Sequence, residues 1–471
     1  MLSTVGAYSD MPQTLTRTLK FQDAVIINLG AIIGAGIFVI IGISAGAAGP
    51  AVLISIPLAG MVAIFTGISF SQIARHVDKE GGVYEYGKES LSPYAGFVGG
   101  SLWTFGNIIA LSAVSISFGS YLDALLNSRF PDIFIAISIV ASFALLNAMG
   151  IKNSARTLRA IVAVNVIILV TFTAVGLFFI HPSHFNDFFA KGPGGIISGA
   201  AIIFFAFSGF SRVTTVSEEV VNPEKTIPLA ILVSIMISAV LYFLISLATL
   251  GLASASRLAE SASPLAFASS VTGMGWLVIL VSMGALVATS GVILTGILGT
   301  SRVMFAMGRD GELPRQVSRL DRFSTPIVAI LVSLILAVAM MPAASFGTIV
   351  ESSNTCVIAA YAIINAAALR THIKYRGTGR RMLLAHDWFF LIPVAGIITI
   401  GLFFAFLGYE SMEIAAAVFA AASVYHMLNV RLHGPSSRPP KTSKVRLFGR
   451  SRHNVDNKKE DGNTGPDQAL L

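Results

Sequence analysis

The chain has 471 residues, 54% of them hydrophobic and only 12% charged, and its mean hydropathy is +0.77. A soluble domain carries about a quarter charged residues, so the composition excludes an ordinary water-soluble fold and makes lipid the expected solvent. The single cysteine, Cys356, sits in an apolar run, which excludes a disulfide framework and a cysteine-based metal site.

The first twenty residues hold Arg17 and Lys20 without an apolar core ending at a small-residue cleavage site. No removable signal is expected, and the first apolar run is itself the first span. A span needs about 20 mostly apolar residues, because hydrocarbon offers the backbone no hydrogen-bond partners. That ruler predicts an all-α integral membrane protein of twelve spans, at roughly 23–47, 51–74, 95–126, 132–150, 157–180, 195–217, 227–251, 274–301, 325–341, 346–369, 387–407 and 412–430. The third is long and carries Ser and Asn, so it is expected to tilt and to face protein in part.

An even number of spans puts both termini on one side. With the N-terminus cytoplasmic, 28 of the 32 basic residues fall on inside segments and only Arg129, Lys191 and Arg257 on outside loops. Both termini are therefore expected inside the cell membrane. The net charge of +8 then needs no nucleic-acid partner. The tail 433–471 is rich in Pro, Ser, Lys and Arg and reads as disordered. Its basic half either is simply solvated or touches anionic headgroups.

In the first span, Asn28 to Phe38 contains Gly30, Gly34 and Gly36 within two turns. Glycine costs a helix about 1 kcal/mol against alanine, so the cluster either packs another helix closely or interrupts the winding. The sixth span, Phe204 to Glu219, again places a glycine, Gly209, among small polar residues at mid-membrane. Glycine-interrupted spans in corresponding positions of two halves point to the central site of a transporter. Amides bared at a half-helix N-terminus receive a carboxylate, and carbonyls bared at a C-terminal end receive an ammonium group. Such a pair of spans accommodates a small zwitterion without any charged side chain.

Six segments in the right order relative to the spans resemble the amino acid–polyamine–organocation (APC) permeases. They are Gly34–Phe38, Gly49-Pro50, Gly81–Tyr86, Phe205–Phe210, Glu218–Pro228 and Ser301–Pro314. The likeness runs from about Phe21 to Arg370. It implies a five-plus-five inverted repeat with two extra C-terminal helices: an N-terminal segment 1–22, a first repeat 23–192, a second repeat 193–370, the last two spans within 371–432, and the tail 433–471. It implies alternating access, with amino acids as substrate. The substrate carboxylate would lie on the amides of Gly34, Ala35 and Gly36. Its ammonium group would face carbonyls near Ile32 and Ile33 and a span-six break at Ala206, Phe207 and Ser208, next to Gly209. Phe205 stands where relatives often carry an aromatic lid.

Two departures bear on chemistry. Ala35 replaces a common Ser or Thr, so one hydroxyl to the carboxylate is missing. Asn165 stands where proton-coupled relatives carry a lysine, and an Asn cannot titrate. With Thr289 and Ser290 it either forms an oxygen-lined sodium site or makes ordinary interhelical hydrogen bonds. No cofactor is expected beyond a coupling proton or sodium ion. Arg212 is the one basic residue well inside a span, which marks it for function. It is either a pocket-edge cation favouring neutral or acidic substrates, or an Arg reaching toward Glu218, Glu219 or the inner surface.

The histidines have no ligand spacing, so no metal is expected, and no phosphate-binding loop with a Lys supports ATP-driven transport. A channel would want a ring of repeated pore-lining groups, and an enzyme a clustered constellation at one depth. A carrier fits best, for amino acids or for another small amine or polyamine, as a symporter or an exchanger.

Overall fold

A computed structural model describes residues 17–434, apart from Ala35, 127–130, Ala262, Arg322, 343–345 and 376–386. Beyond Gly434 the expected tail lies outside the described residues. Those that are described wind almost entirely into helix, and the only β contact among them is an isolated bridge between Leu19 and Val220. Eight helical stretches are long and apolar enough to cross a membrane, the first of them 54 residues from Phe21 to Ala74. Three shorter apolar helices, Asp132–Ala148, Ile327–Met340 and Leu391–Phe404, accompany them. Among the described residues, helix covers most of each expected stretch.

The solvent dictates which face is apolar. Side chains such as Phe134, Leu145, Ile167, Phe178, Ile335 and Ile398 stand exposed on the outside of the bundle. In water they would be a liability; facing lipid tails they are satisfied. Polar groups turn inward instead, among them Asn28, Asn107, Asn165, Arg212, Glu219 and Arg302, all buried.

The first long stretch is not one helix. α1 (Phe21–Ile32) ends at Ile33, a five-residue π-turn runs over Gly36–Ile40, and α2 (Ile41–Ala48) follows. Gly49, with φ +64, and Pro50 then turn the chain into α3 (Val52–Ala74). A second glycine pair, Gly81 (φ +118) and Gly82 (φ +52), adopts backbone that side chains resist. It leads into the short amphipathic α4 (Val83–Ser90). Then come α5 (Pro93–Leu126), α6 (Asp132–Ala148) and α7 (Ile151–Leu177).

α8 (Gly192–Phe207) continues without a gap into a twelve-residue 3-10 segment, Ser208–Glu219. α9 (Pro223–Leu252) follows, then the short α10 (Ala255–Glu260) and α11 (Pro264–Val271), and the long α12 (Gly275–Arg309). α13 (Ile327–Met340), α14 (Phe346–Tyr375), α15 (Leu391–Phe404) and α16 (Tyr409–His433) complete the bundle. α1 packs on α9 and on the 3-10 segment, while α5 lies between α12 and α14. The interrupted part of the first stretch thus sits at the centre.

Candidate functional site

The helix of α1 stops because Ile33 takes φ −77 and ψ 86, outside the helical range, although its amide still donates to the Leu29 carbonyl at 2.7 Å. Winding resumes at Gly36. A Cβ on Gly36 would lie 2.6 Å from the Ala206 Cβ, and one on Gly209 would lie 2.7 Å from the Ile32 amide nitrogen. Both distances are shorter than packed atoms allow, so these two glycines let the interrupted segment and the α8–3-10 segment touch backbone to backbone. Close packing and interruption, open alternatives from the residues alone, occur together here.

The expected break in span six is instead a change of winding. The chain tightens from α to 3-10 at Ser208, and the only non-helical angles within Ser208–Glu219 are those of Val216 (φ −121, ψ 27). Three hydroxyls explain why it holds together. Thr214, Thr215 and Ser217 each donate to the carbonyl three residues back, at 2.7, 2.7 and 2.8 Å. Carbonyls left poorly served by the tighter helix are satisfied locally.

Two buried tyrosines tie these segments together, and neither was visible as functional in the sequence. The Tyr242 hydroxyl, from α9, is 2.5 Å from the Ile32 carbonyl and 3.3 Å from that of Ala206. The Tyr361 hydroxyl, from α14, is 2.5 Å from the Ser208 carbonyl and 2.8 Å from Ser211 Oγ. Their one signal was general: a phenol in an apolar span needs an acceptor. Asn28 serves the same joint, accepting from the Val213 amide at 2.9 Å and donating to Ser234 at 3.2 Å.

Between the two segments lies a small, partly open cleft with a cavity volume of about 30 Å³. Its walls include Ile32 and Gly36, then Phe205, Ala206, Ser208, Gly209 and Arg212, with Asn107 and Val114 from α5 opposite. Val292, Ser353 and Val357 close the rest. Of the residues singled out in the sequence, Ile33, Gly34 and Phe207 do not line it. Phe207 packs edge-on against Tyr242 and is fully buried. Ala35 lies outside the described residues.

Arg212 is 4% exposed and reaches neither glutamate it was weighed against. Glu218 is held by Arg309 at 2.7 Å and Glu219 by Arg302 at 2.8 Å. The Arg212 Nη2 donates to Asn107 Oδ1 at 2.6 Å, and its guanidinium lies 4.9 Å from the Trp103 ring centre. Its Nε and Nη1 are buried without a hydrogen-bond partner among the described residues. A cation is therefore offered to the cleft with donors to spare.

Asn165 donates to the Ile33 carbonyl at 3.3 Å, while its Oδ1 is buried without a partner among the described residues. Thr289 and Ser290 both donate within α12, to Ala285 and Leu286 at 2.8 Å each. Among the described residues no side-chain hydrogen bond joins these three.

The sequence profile of the amino acid permeases matches residues 19–430. The chain is 34% identical over 392 residues to an uncharacterised transporter of Mycobacterium tuberculosis, covering 83% of this chain and 86% of that one. It is 30% identical to a branched-chain amino acid permease of Bacillus subtilis, covering 67% and 72% of the two chains. Identity is also 30% to a methylthioribose transporter of Bacillus subtilis, over 79% and 85%.

Proposed function

The chain belongs to the amino acid permease family, a multi-pass membrane transporter of amino acids or related solutes, and we propose that it is a secondary carrier of neutral amino acids across the cell membrane. The observation that carries this reading is the cleft between the interrupted α1–α2 stretch and the α8–3-10 segment, with Arg212 on its wall. In this reading the twelve spans form two inverted five-helix repeats plus two helices, with both termini cytoplasmic, and the cleft opens to either side in turn.

The zwitterion's carboxylate lies against the amide of Gly36, where the winding resumes. Its ammonium group lies near the carbonyls of Ile32, Ala206 and Ser208. Tyr242 and Tyr361 already donate to those carbonyls, but each carbonyl oxygen has a second lone pair. The side chain projects toward Phe205, Val114, Val292 and Val357. Arg212, with no carboxylate paired to it among the described residues, repels Lys- and Arg-like substrates. The branched-chain permease among the relatives supports an apolar side chain. The methylthioribose transporter supports a second reading, in which the cleft takes another small organic solute. Because Asn165 cannot titrate, a sodium ion beside it, Thr289 and Ser290 is the coupling ion we favour over a proton at that position.

Counterflow of labelled amino acid in proteoliposomes tests the carrier. Trans-stimulation by unlabelled leucine or valine is expected, and Gly36→Leu should abolish it in a protein that still inserts. Full counterflow in Gly36→Leu, or none with any of the twenty amino acids in the unaltered protein, would remove the proposal.

A further inference from the structure

Where the 76–82 loop, the end of the 3-10 segment and the end of α12 meet, five charged side chains converge. Arg302 and Arg309 come from α12, Glu218 and Glu219 from the 3-10 segment, and Glu80 from the loop. Two ion pairs use up four of them, Arg302 with Glu219 at 2.8 Å and Arg309 with Glu218 at 2.7 Å. Glu80 is the odd group. It is 0% exposed, and neither of its carboxylate oxygens has a hydrogen-bond partner among the described residues. Its own amide donates to Glu218 Oε1 at 3.3 Å, so a second carboxylate lies beside it.

The other charges on this loop and on α4 are engaged elsewhere. Asp78 pairs with Arg17, Lys79 with Glu85 and Glu89, and Lys88 with Asp310 and Glu85. His76, the other titratable group on this loop, has an interaction of its own as well.

The loop is also wedged. A Cβ on Gly81 would lie 2.8 Å from the Ala306 Cβ of α12, and one on Gly82 would lie 2.9 Å from Thr214 Oγ1 of the 3-10 segment. Two glycines at positive φ slide the backbone between these elements and carry Glu80 in behind them. The 3-10 segment that the wedge holds also walls the cleft through Ser208, Gly209 and Arg212, so a withdrawal of the wedge would free the end of that segment and bring Glu80 into water, making the loop a gate.

We propose that Glu80 is a proton-binding site built into this gate, taking up one proton as the loop seats and releasing it to the same side as the loop withdraws. Burial pushes its carboxyl well above the ordinary carboxylate range, opposed by Arg302 and Arg309 and reinforced by Glu219 and Glu218. The seated form therefore binds more protons than the withdrawn one. Its advantage is full at low pH and is lost as pH rises through the seated-form pKa. Because the proton enters and leaves on one side, nothing is pumped; the carrier is throttled by acid on the side of the loop, which we assign as cytoplasmic.

The inference rests on the carrier reading, and two measurements separate them. Counterflow at equal pH on both sides should rise several-fold as pH is raised through the seated-form pKa, and Glu80→Gln, which mimics the protonated acid, should stay flat at the acid level. Hydrogen–deuterium exchange of residues 76–91, corrected for intrinsic chemistry, needs no transport. It should speed up over the same range in the unaltered protein and not in Glu80→Gln. A wild-type pH profile in Glu80→Gln, or pH-independent exchange of that segment in the unaltered protein, overturns the proton site. Absent counterflow with pH-dependent exchange of the segment overturns the carrier and leaves the proton site standing.

Discussion

Tyr242 shows how much a single hydroxyl can hold. It stands within hydrogen-bond reach of carbonyls on both segments that wall the cleft, Ile32 and Ala206. In Tyr242→Phe the ring keeps its place beside Phe207, but two buried carbonyls lose a donor. An unmet buried polar group costs about 1–3 kcal/mol. We therefore expect counterflow to fall roughly tenfold, since about 1.4 kcal/mol is a factor of ten, with the protein still expressed and monodisperse. Unchanged transport would show that the bridge is not needed for the joint. Arg212 makes a different kind of prediction, because it faces the cleft rather than supporting it. Arg212→Ala should shift the competition profile toward cationic amino acids, whereas Arg212→Lys, which keeps the charge but loses the Nη2 hydrogen bond to Asn107, should retain the order of preference at lower affinity. An unaltered profile in Arg212→Ala would reduce the residue to a structural cation. Neither Tyr242 nor Asn107 stood out in the sequence, since their partners are 210 and 105 residues away. Arg212 did, because charge inside a span is rare whatever it touches.

At the scale of elements, the 3-10 segment Ser208–Glu219 is pinned at its end by ion pairs of unequal weight. Arg302 and Glu219 are 2% and 3% exposed, Arg309 and Glu218 27% and 21%. Breaking a buried pair from one side leaves a bare charge and costs about 3–5 kcal/mol, while removing both partners is often neutral. Arg302→Leu should accordingly lower the melting temperature in detergent strongly, and Arg302→Leu with Glu219→Leu should regain most of it. Arg309→Leu should cost about 1 kcal/mol or less, because water shares that pair. Equal losses for Arg302→Leu and Arg309→Leu would mean that burial does not rank these contacts. The glycines of the first span lie where α1 stops and winding resumes at Gly36; a cluster of that cost needs a reason, and packing and interruption read alike in it. Gly209 in the sixth misled: its neighbours Thr214, Thr215 and Ser217 serve carbonyls three residues back and hold a tighter helix together. Small hydroxylated residues read the same in an unwound turn and in a 3-10 helix.

For the molecule as a whole, legibility followed the solvent. Long apolar blocks have few ways to satisfy their backbones in lipid, so the helical class was plain from composition alone. What fills the centre was less so, because a cleft is made of approaches between distant segments, such as Gly36 on Ala206 and Gly209 on Ile32. That cleft joins five parts of the chain: the interrupted α1–α2 stretch, α5, the α8–3-10 segment, α12 and α14. A ligand seated there would bridge elements that otherwise separate on unfolding, and it would stabilise the bundle by mass action. At a hundredfold excess over its Kd a substrate adds about 2.7 kcal/mol, a shift of several degrees in melting temperature. We expect that shift from neutral, branched amino acids and not from lysine or arginine, with Gly36→Leu silent to all of them. A panel of twenty amino acids read by thermal unfolding in detergent checks it without any transport assay. Equal shifts from lysine and leucine would leave Arg212 no part in selection, and shifts surviving in Gly36→Leu would move the binding site away from the interrupted span.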